Sequence, residues 1–279
     1  MGELRIDSTR TLNNGVAIPL LGLGVFRAEN GRETERAVLW ALEAGYRHID
    51  TAAAYGNEES VGRAIRESGI PRSEIFLTTK LWNEDSRRGT EVEAFNRSLD
   101  LLGTDYVDLY LVHWPVPGRF EKSYVALEPL YRAGHIKALG ASNFHRHHLE
   151  ALANVTDVAP AVDQVECHPL LSQKPLVDYC EGLGIAVTCW SPLGGVRLNL
   201  TADPALAGIG AKYGKTAAQV IIRWELQRGL VTIPKSVRRE RIAENAGVFD
   251  FELSHADMLA IGDMNRNQRA GSDPDNFDF

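Results

Sequence analysis

The chain has 279 residues, of which 44% are hydrophobic and 24% are charged, a balance typical of a globular protein with a sizeable core. Its net charge of -7 argues against nucleic acid as the main partner, because phosphate binding requires a concentrated basic face. No apolar run approaches the roughly 18 residues that span a bilayer, and the N-terminus has no signal-peptide pattern. We therefore expect a cytoplasmic protein that binds neither membranes nor nucleic acids.

Short β-rich runs alternate with longer amphipathic stretches along the chain. Before them, residues 10–18 predict a β-hairpin about an Asn-Gly turn. The predicted strands lie at residues 20–24, 46–50, 75–80, 107–112, 137–141, 162–166, 185–190 and 231–233. Each is followed by a helical pattern, and such alternation implies a parallel sheet. We therefore predict an α/β fold of one domain over residues 1–279, a (β/α)8 TIM barrel whose bottom the hairpin closes, with an irregular tail or flap at 268–279.

Four chemically active side chains follow three neighbouring predicted strands. Asp50 and Tyr55 come after the second strand, Lys80 ends the third and His113 follows the fourth. Each alone has a structural explanation, as a helix cap, a rim lysine or a hydrogen-bonded core histidine. In TIM barrels, however, active-site residues lie at the C-terminal ends of the strands. The sequence therefore predicts that these four side chains meet in one site.

The four residues suit proton delivery at neutral pH. A free tyrosine has a pKa of about 10, and a neighbouring ammonium favours its phenolate form. Asp50 would hold Lys80 in place beside Tyr55, which would act as general acid towards an oxygen that becomes an alkoxide. His113 would donate a hydrogen bond that polarises and orients a carbonyl group.

Three further motifs point to one family. They resemble the three signatures of the aldo-keto reductase family and occur in the family's order. The first covers residues 45–52 with Glu58 and Gly62, the second covers 139–144, and the third covers 233–236 with Arg241, Glu244 and Asn245. The run 234–241 and Trp190 are most similar to the bacterial branch that contains 2,5-diketo-D-gluconate reductases. The resemblance covers essentially the whole chain. It implies NADPH-dependent reduction of aldehydes and ketones to alcohols by a monomer, with Asp50, Tyr55, Lys80 and His113 as the catalytic residues.

The resemblance also implies how the cofactor is held. The segment 22–27 lacks the third glycine of a Rossmann fingerprint, so a dinucleotide must be bound differently. Four cations fall within residues 235–241, at the start of a predicted helix, where a phosphate is readily bound. On sequence alone this cluster could also be a solvated basic face. The implied cofactor residues are Ser142, Asn143, Gln164, Trp190, Ser191, Pro192, Leu193, Lys235, Ser236, Val237, Arg238, Arg241, Glu244 and Asn245.

The substrate pocket is predicted to be aromatic and mostly apolar. By family resemblance Phe26, Trp82 and Trp114 would line it, with Trp190 beneath. Small aldehydes, dicarbonyls and keto-sugars therefore all remain candidate substrates. Because the loop at 115–121 and the tail are short, we expect an open pocket.

Some residues fall outside this scheme. The run of His145, Arg146, His147 and His148 could suggest a metal site, but histidine spacing alone is a weak signal, so we expect solvated surface and no metal.

Asp163 stands where the family commonly has asparagine. If it is buried, it needs a hydrogen-bond partner or a changed protonation state, although strand alternation should direct it away from Gln164.

Two other functions are compatible with the sequence. The first is a non-catalytic NADP-binding regulatory subunit, which would bind cofactor without turnover. The second is a barrel hydrolase or isomerase that uses Asp50 with Glu58 or His113 and binds no NADPH.

Overall fold

The computed structural model describes residues 4–279. Its first element is an antiparallel hairpin of β1 (Thr9–Thr11) and β2 (Ala17–Pro19), with the turn residue Gly15 in the left-handed region at φ 87°. The side-chain amides of Asn13 and Asn14 donate to the carbonyls of Pro160 and Lys137, at or just before the start of two barrel strands. The hairpin therefore covers the bottom of the barrel, as predicted.

Eight parallel strands form the barrel, and each pairs with its neighbour in chain order. They are β3 (Leu23–Gly24), β4 (His48–Asp50), β5 (Phe76–Leu81), β6 (Val107–Val112), β7 (Ile136–Ser142), β8 (Val162–Glu166), β9 (Ala186–Trp190) and β10 (Val231–Thr232). The barrel is closed by hydrogen bonds between the residues just before β3 and those of β10. The amide of Gly22 donates to the Thr232 carbonyl at 2.9 Å, and the Thr232 amide donates to Leu20 at 2.9 Å. The predicted (β/α)8 TIM barrel is confirmed.

Twelve helices accompany the strands in the described part of the chain. They are α1 (Arg32–Glu43), α2 (Glu58–Glu67), α3 (Asn83–Arg88), α4 (Glu91–Leu102), α5 (Phe120–Arg132), α6 (Arg146–Ala153), α7 (Lys174–Gly182), α8 (Gly195–Leu198), α9 (Pro204–Tyr213), α10 (Ala217–Gln227), α11 (Arg239–Ala246) and α12 (His255–Gly262). None of the helices within residues 4–279 has both the length and the apolar character needed to cross a membrane. After Gly262 the chain forms neither helix nor strand.

The sequence pattern does not predict α3, α8, α9 or α12. Helices α3 and α8 have six and four residues, too few to display a helical period. Helices α9 and α12 are held by a second apolar cluster, in which Leu206 and Ile261 pack with Val220 and Trp224 of α10. Their helical form therefore depends on a core that both helices share with α10.

Gly62 lies where α2 crosses the C-terminal end of α4. A methyl group at this position would overlap the main-chain carbonyl of Leu102, so the two helices approach this closely only because residue 62 has no side chain.

We expect Gly62→Ala to lower the free energy of unfolding by about 1–3 kcal/mol, because the backbone of one helix must shift. The matched control is Gly208→Ala in α9, where a methyl group meets nothing within 4 Å. This control should be neutral or more stable by up to about 1 kcal/mol, through improved helix propensity. Urea unfolding measures both, and equal effects of the two substitutions would contradict the packing argument.

Asp163 of β8 is fully buried on the strand face opposite to Gln164. Its Oδ1 accepts a hydrogen bond from the Phe144 amide at 3.3 Å, whereas Oδ2 has no partner among residues 4–279. Burial raises the pKa of Asp163 well above its ordinary value, with the Phe144 amide opposing the rise. The folded protein therefore favours the protonated carboxyl group, which is one of the two outcomes expected for a buried aspartate here.

We expect Asp163→Asn to raise the free energy of unfolding near pH 7, by about 1–3 kcal/mol, because asparagine keeps an acceptor for Phe144 and carries no charge. The unfolded carboxyl releases its proton near pH 3.9 and the folded one only at a higher pH, so the parent loses stability as the pH rises between the two. The advantage of the variant should therefore be small near pH 4 and larger at pH 7 in urea unfolding. An equal gain at both pH values would rule out titration of this group as the cause.

Candidate active site

The loop after β4 carries Tyr55 and is anchored by one buried side chain. Asn57 accepts a hydrogen bond from the Thr51 hydroxyl at 2.8 Å. Its side-chain amide donates to the carbonyls of Val25 and Ala28 at 3.0 and 3.1 Å. The loop after β4 is thus tied to the loop after β3, which fixes the position of the Tyr55 phenol.

Lys80 joins the predicted catalytic side chains at the centre of the barrel. Its side chain is fully buried, and its ammonium donates to Asp50 Oδ1 at 2.6 Å, to the Thr51 carbonyl at 2.8 Å and to the Tyr55 hydroxyl at 3.3 Å. The second oxygen of Asp50 accepts from Gln164 Nε2 at 2.7 Å. The structure therefore brings together the chain of carboxylate, ammonium and phenol that the sequence predicts.

His113 completes this group beside the phenol, with ring centroids 5.8 Å apart. Burial, reinforced by the Lys80 charge, lowers the pKa of His113 well below its ordinary value, so the imidazole is neutral at pH 7. Burial raises the pKa of Tyr55 and the Lys80 ammonium partly offsets that rise. Although burial lowers the pKa of Lys80, the neighbouring Asp50 and Tyr55 raise it by more, so the group stays charged. The site thus holds a protonated phenol between an ammonium and a neutral imidazole.

A cavity of about 650 Å³ lies above these residues. All three predicted substrate residues line it: Phe26, Trp82 and Trp114. Six of the predicted cofactor residues also line it: Ser142, Asn143, Gln164, Trp190, Ser191 and Lys235. The other predicted cofactor residues lie outside its lining: Pro192, Leu193, Ser236, Val237, Arg238, Arg241, Glu244 and Asn245. The cavity therefore runs from the phenol to the first residue of the basic cluster.

The middle of the cavity is built from the ends of β7, β8 and β9. Asn143, in the left-handed region at φ 64°, accepts from Trp190 Nε1 at 2.8 Å and donates to the His113 carbonyl at 3.0 Å. The Ser142 hydroxyl donates to the Gln164 carbonyl at 2.8 Å. These bonds hold the indole and three polar side chains in fixed relative positions, and Gln164 Oε1 makes no hydrogen bond within residues 4–279. Polar groups are thus presented beside a flat aromatic surface.

The basic cluster lies at the N-terminus of α11. Lys235, Arg238 and Arg241 are exposed, and within the part of the chain described they form no salt bridge, whereas Arg239 pairs with Glu43 at 3.2 Å. No side chain caps the first amides of α11, so these donors are also available to an anion. Three cations without a salt bridge among residues 4–279 thus lie at or just before the N-terminus of α11, where an anion is favoured. The neighbouring Glu244 carboxylate accepts from the Thr216 hydroxyl at 2.7 Å.

The C-terminal tail is the part of the site that the sequence analysis missed. The ring of Phe279 stacks on Trp82 at 5.9 Å and meets Trp114 edge-on at 5.1 Å. Its main-chain oxygen accepts from Asn83 and Arg87 at 3.0 and 2.6 Å. The prediction of an open pocket is therefore wrong on this side, because the tail packs against two of the pocket's aromatic residues. Two phenylalanines in an otherwise polar tail were the signal available in the sequence.

A second tail contact lies beside Trp190. The amides of Ala270 and Gly271 donate to the buried Glu166 carboxylate at 2.5 and 3.1 Å. A methyl group on residue 271 would overlap the Trp190 ring, so only glycine fits there. The neighbouring Arg197 also lines the cavity and was not predicted from the sequence. The tail thus contributes to the site at both its aromatic end and its middle.

Glu58, the second carboxylate of the hydrolase hypothesis, does not line the cavity. It accepts from the Thr79 hydroxyl at 2.5 Å, and Thr79 points to the face of β5 opposite to Lys80. Asp50 is already bonded to Lys80 and Gln164. Among residues 4–279, therefore, no second aspartate or glutamate side chain faces Asp50 across this cavity.

Comparisons with known proteins agree with this geometry. Residues 20–266 match the model of the aldo/keto reductase family. The chain is 50% identical to the glyoxal reductase of Bacillus subtilis, over 98% of this chain and 99% of that protein. An aldo-keto reductase from a Medee basin deep-sea metagenome library has a similar structure, with a TM-score of 0.92, 45% identity and coverage of 97% and 100%. The Bombyx mori aldo-keto reductase in complex with NADP also has a similar structure, with a TM-score of 0.89 and 37% identity, over 98% of this chain and 97% of that one. The chain belongs to the aldo/keto reductase family.

Proposed function

We propose that the protein is an NADPH-dependent carbonyl reductase that converts small aldehydes and ketones to alcohols and acts as a cytoplasmic monomer. The observation that carries this proposal is the buried Lys80 ammonium, held between the Asp50 carboxylate and the Tyr55 hydroxyl beneath the cavity. The similarity to a glyoxal reductase supports small dicarbonyls as the first substrates to test.

The cavity fits a dinucleotide with a 2′-phosphate. Trp190 offers a flat ring beside Ser142, Asn143 and Gln164, whose polar atoms suit a carboxamide. The cavity continues to Lys235, beyond which Arg238 and Arg241 are free to pair with a phosphate group. The complex of the Bombyx mori relative with NADP supports the same assignment. When bound, NADPH would supply the hydride for the carbonyl carbon.

The chain's own residues would supply the proton and the orientation. Tyr55 donates a hydrogen bond to the carbonyl oxygen and transfers its proton as that oxygen becomes an alkoxide. Lys80 stabilises the phenolate that remains, and Asp50 holds the ammonium in place. The neutral His113 imidazole donates a second hydrogen bond that fixes the carbonyl in the plane of attack. Trp82 and Trp114 exclude water around the reacting oxygen.

We expect Tyr55→Phe to lower kcat about 10²–10⁴-fold, because it removes the general acid. NADPH oxidation is measured with methylglyoxal, 4-nitrobenzaldehyde and a 2,5-diketo sugar acid. Tyr213→Phe is the matched control, since its hydroxyl bonds Asp257 outside the cavity, and it should leave the rate unchanged. No turnover by the parent, or an unchanged rate in Tyr55→Phe, is incompatible with the proposal.

A titration of the protein with NADPH, followed by tryptophan fluorescence, distinguishes the other two functions. A quench on NADPH addition without turnover would identify a regulatory subunit. The absence of any quench would favour the hydrolase or isomerase.

We expect the double variant Lys235→Ala with Arg238→Ala to raise the Kd for NADPH at least about tenfold, since charge-assisted hydrogen bonds contribute about 1.5–3 kcal/mol each. The Kd for NADH should change little, because it lacks the 2′-phosphate. Arg239→Ala is the control, because that side chain pairs with Glu43 and should matter less. Equal losses for both cofactors would show that the basic cluster does not recognise the 2′-phosphate.

A further inference from the structure

Three histidines at the start of α6 converge on one carboxylate of the tail. Asp275 Oδ2 lies 2.9 Å from His145 Nδ1, and Oδ1 lies 3.1 Å from His147 Nε2 and 3.4 Å from His148 Nε2. Within residues 4–279 this is the one group of three or more histidine, cysteine, aspartate or glutamate side chains whose ligand atoms all lie within 4.8 Å of each other. The sequence shows only the histidines, because Asp275 is 130 residues from His145.

The donor set and its spacing suit a divalent transition metal. Imidazole nitrogen and carboxylate oxygen are the donors that Zn²⁺ and similar ions use in proteins. Metal–ligand bonds of 2.0–2.1 Å in a tetrahedron place neighbouring donors about 3.3 Å apart. The separations of Asp275 from His145 Nδ1 and His147 Nε2, 2.9 and 3.1 Å, are slightly shorter than this value, so side-chain movements could open space for an ion between them.

The hydrogen bonds decide which nitrogen atoms can bind the ion. The His145 amide donates to His148 Nδ1 at 3.0 Å, so the proton of neutral His148 sits on Nε2 and faces Asp275. His148 is therefore suited to hold the carboxylate rather than to bind the ion. The His147 ring is more than half exposed and its Nε2 can turn to an ion without losing a buried contact.

His145 requires one rearrangement. Arg269 Nη2 lies 3.0 Å from His145 Nε2, and as a donor it favours the tautomer with the proton on Nδ1. An ion at Nδ1 would move that proton to Nε2 and displace the guanidinium. Asp273 lies 3.7 Å from Arg269 Nε and can accept the displaced charge.

We propose that His145 Nδ1, His147 Nε2 and the Asp275 carboxylate bind one divalent transition-metal ion such as Zn²⁺, with His148 orienting the carboxylate and water completing the coordination. The site lies outside the catalytic cavity, so its role is structural. Asp275 lies between Gly271, which packs on Trp190, and Phe279, which packs on Trp82. The ion would therefore fasten the tail to α6 while the tail forms part of the pocket wall.

The test uses untagged protein, because a polyhistidine tag would bind the same ions, and removes prior metal with EDTA. Calorimetry with Zn²⁺ should show one ion per chain, and Co²⁺ should give the visible absorption of a tetrahedral site. Asp275→Asn and His147→Ala should each raise the Kd at least about tenfold. His255→Ala, at an exposed histidine outside the cluster, should leave it unchanged.

Hydrogen exchange of residues 270–279 provides a readout that does not depend on activity. Zn²⁺ should slow exchange in the parent and in His255→Ala, but not in Asp275→Asn. Absence of saturable binding, or equal affinity in the parent and in a variant that combines Asp275→Asn with His147→Ala, would overturn the proposal. The histidines would then act only as hydrogen-bond donors to Asp275.

Discussion

The buried ion pair of Lys80 and Asp50 is the constraint around which the site is built. A lone ammonium at the centre of a barrel would carry a desolvation cost of several kcal/mol. The 2.6 Å contact with Asp50, together with the Thr51 carbonyl and the Tyr55 hydroxyl, satisfies all three donors of the ammonium. Asp50 in turn is satisfied by Gln164. Because each partner compensates another, removal of any one would leave a buried charge or donor unpaired.

This constraint extends across the barrel through the strand ends. Gln164 carries the contact to β8, Asn143 continues it to β7 and His113, and Trp190 joins it from β9. Asn143 and Ser191 both adopt left-handed backbone conformations, which cost energy and persist because the surrounding bonds hold them. The same interactions therefore hold the charges in place and position the surface on which a flat ring could lie.

The sequence predicts the barrel well because a parallel strand is buried on both faces along most of its length, as in β6 and β7, where only Asp108 and Lys137 interrupt the buried run. It also predicts which of the candidate catalytic side chains meet, since strand order alone brings Asp50, Lys80 and His113 to one edge. It does not place the tail, because Phe279 on Trp82 and Gly271 on Trp190 are contacts between distant segments without periodicity. It also misses α9 and α12, whose apolar residues Leu206 and Ile261 are buried in a cluster shared with α10, Leu200 and Leu253.

The tail matters to the electrostatics of the site as well as to its shape. Burial raises the pKa of Tyr55 and lowers that of His113, so the phenol keeps its proton and the imidazole stays neutral while each can still donate one hydrogen bond. Phe279, Trp82 and Trp114 form an apolar wall above these groups. Charges interact more strongly where water is excluded, so this wall would strengthen the effect of Lys80 on the phenolate that the proposed proton transfer leaves at Tyr55. Packing of the tail and the proposed proton transfer by Tyr55 would therefore depend on the same desolvation.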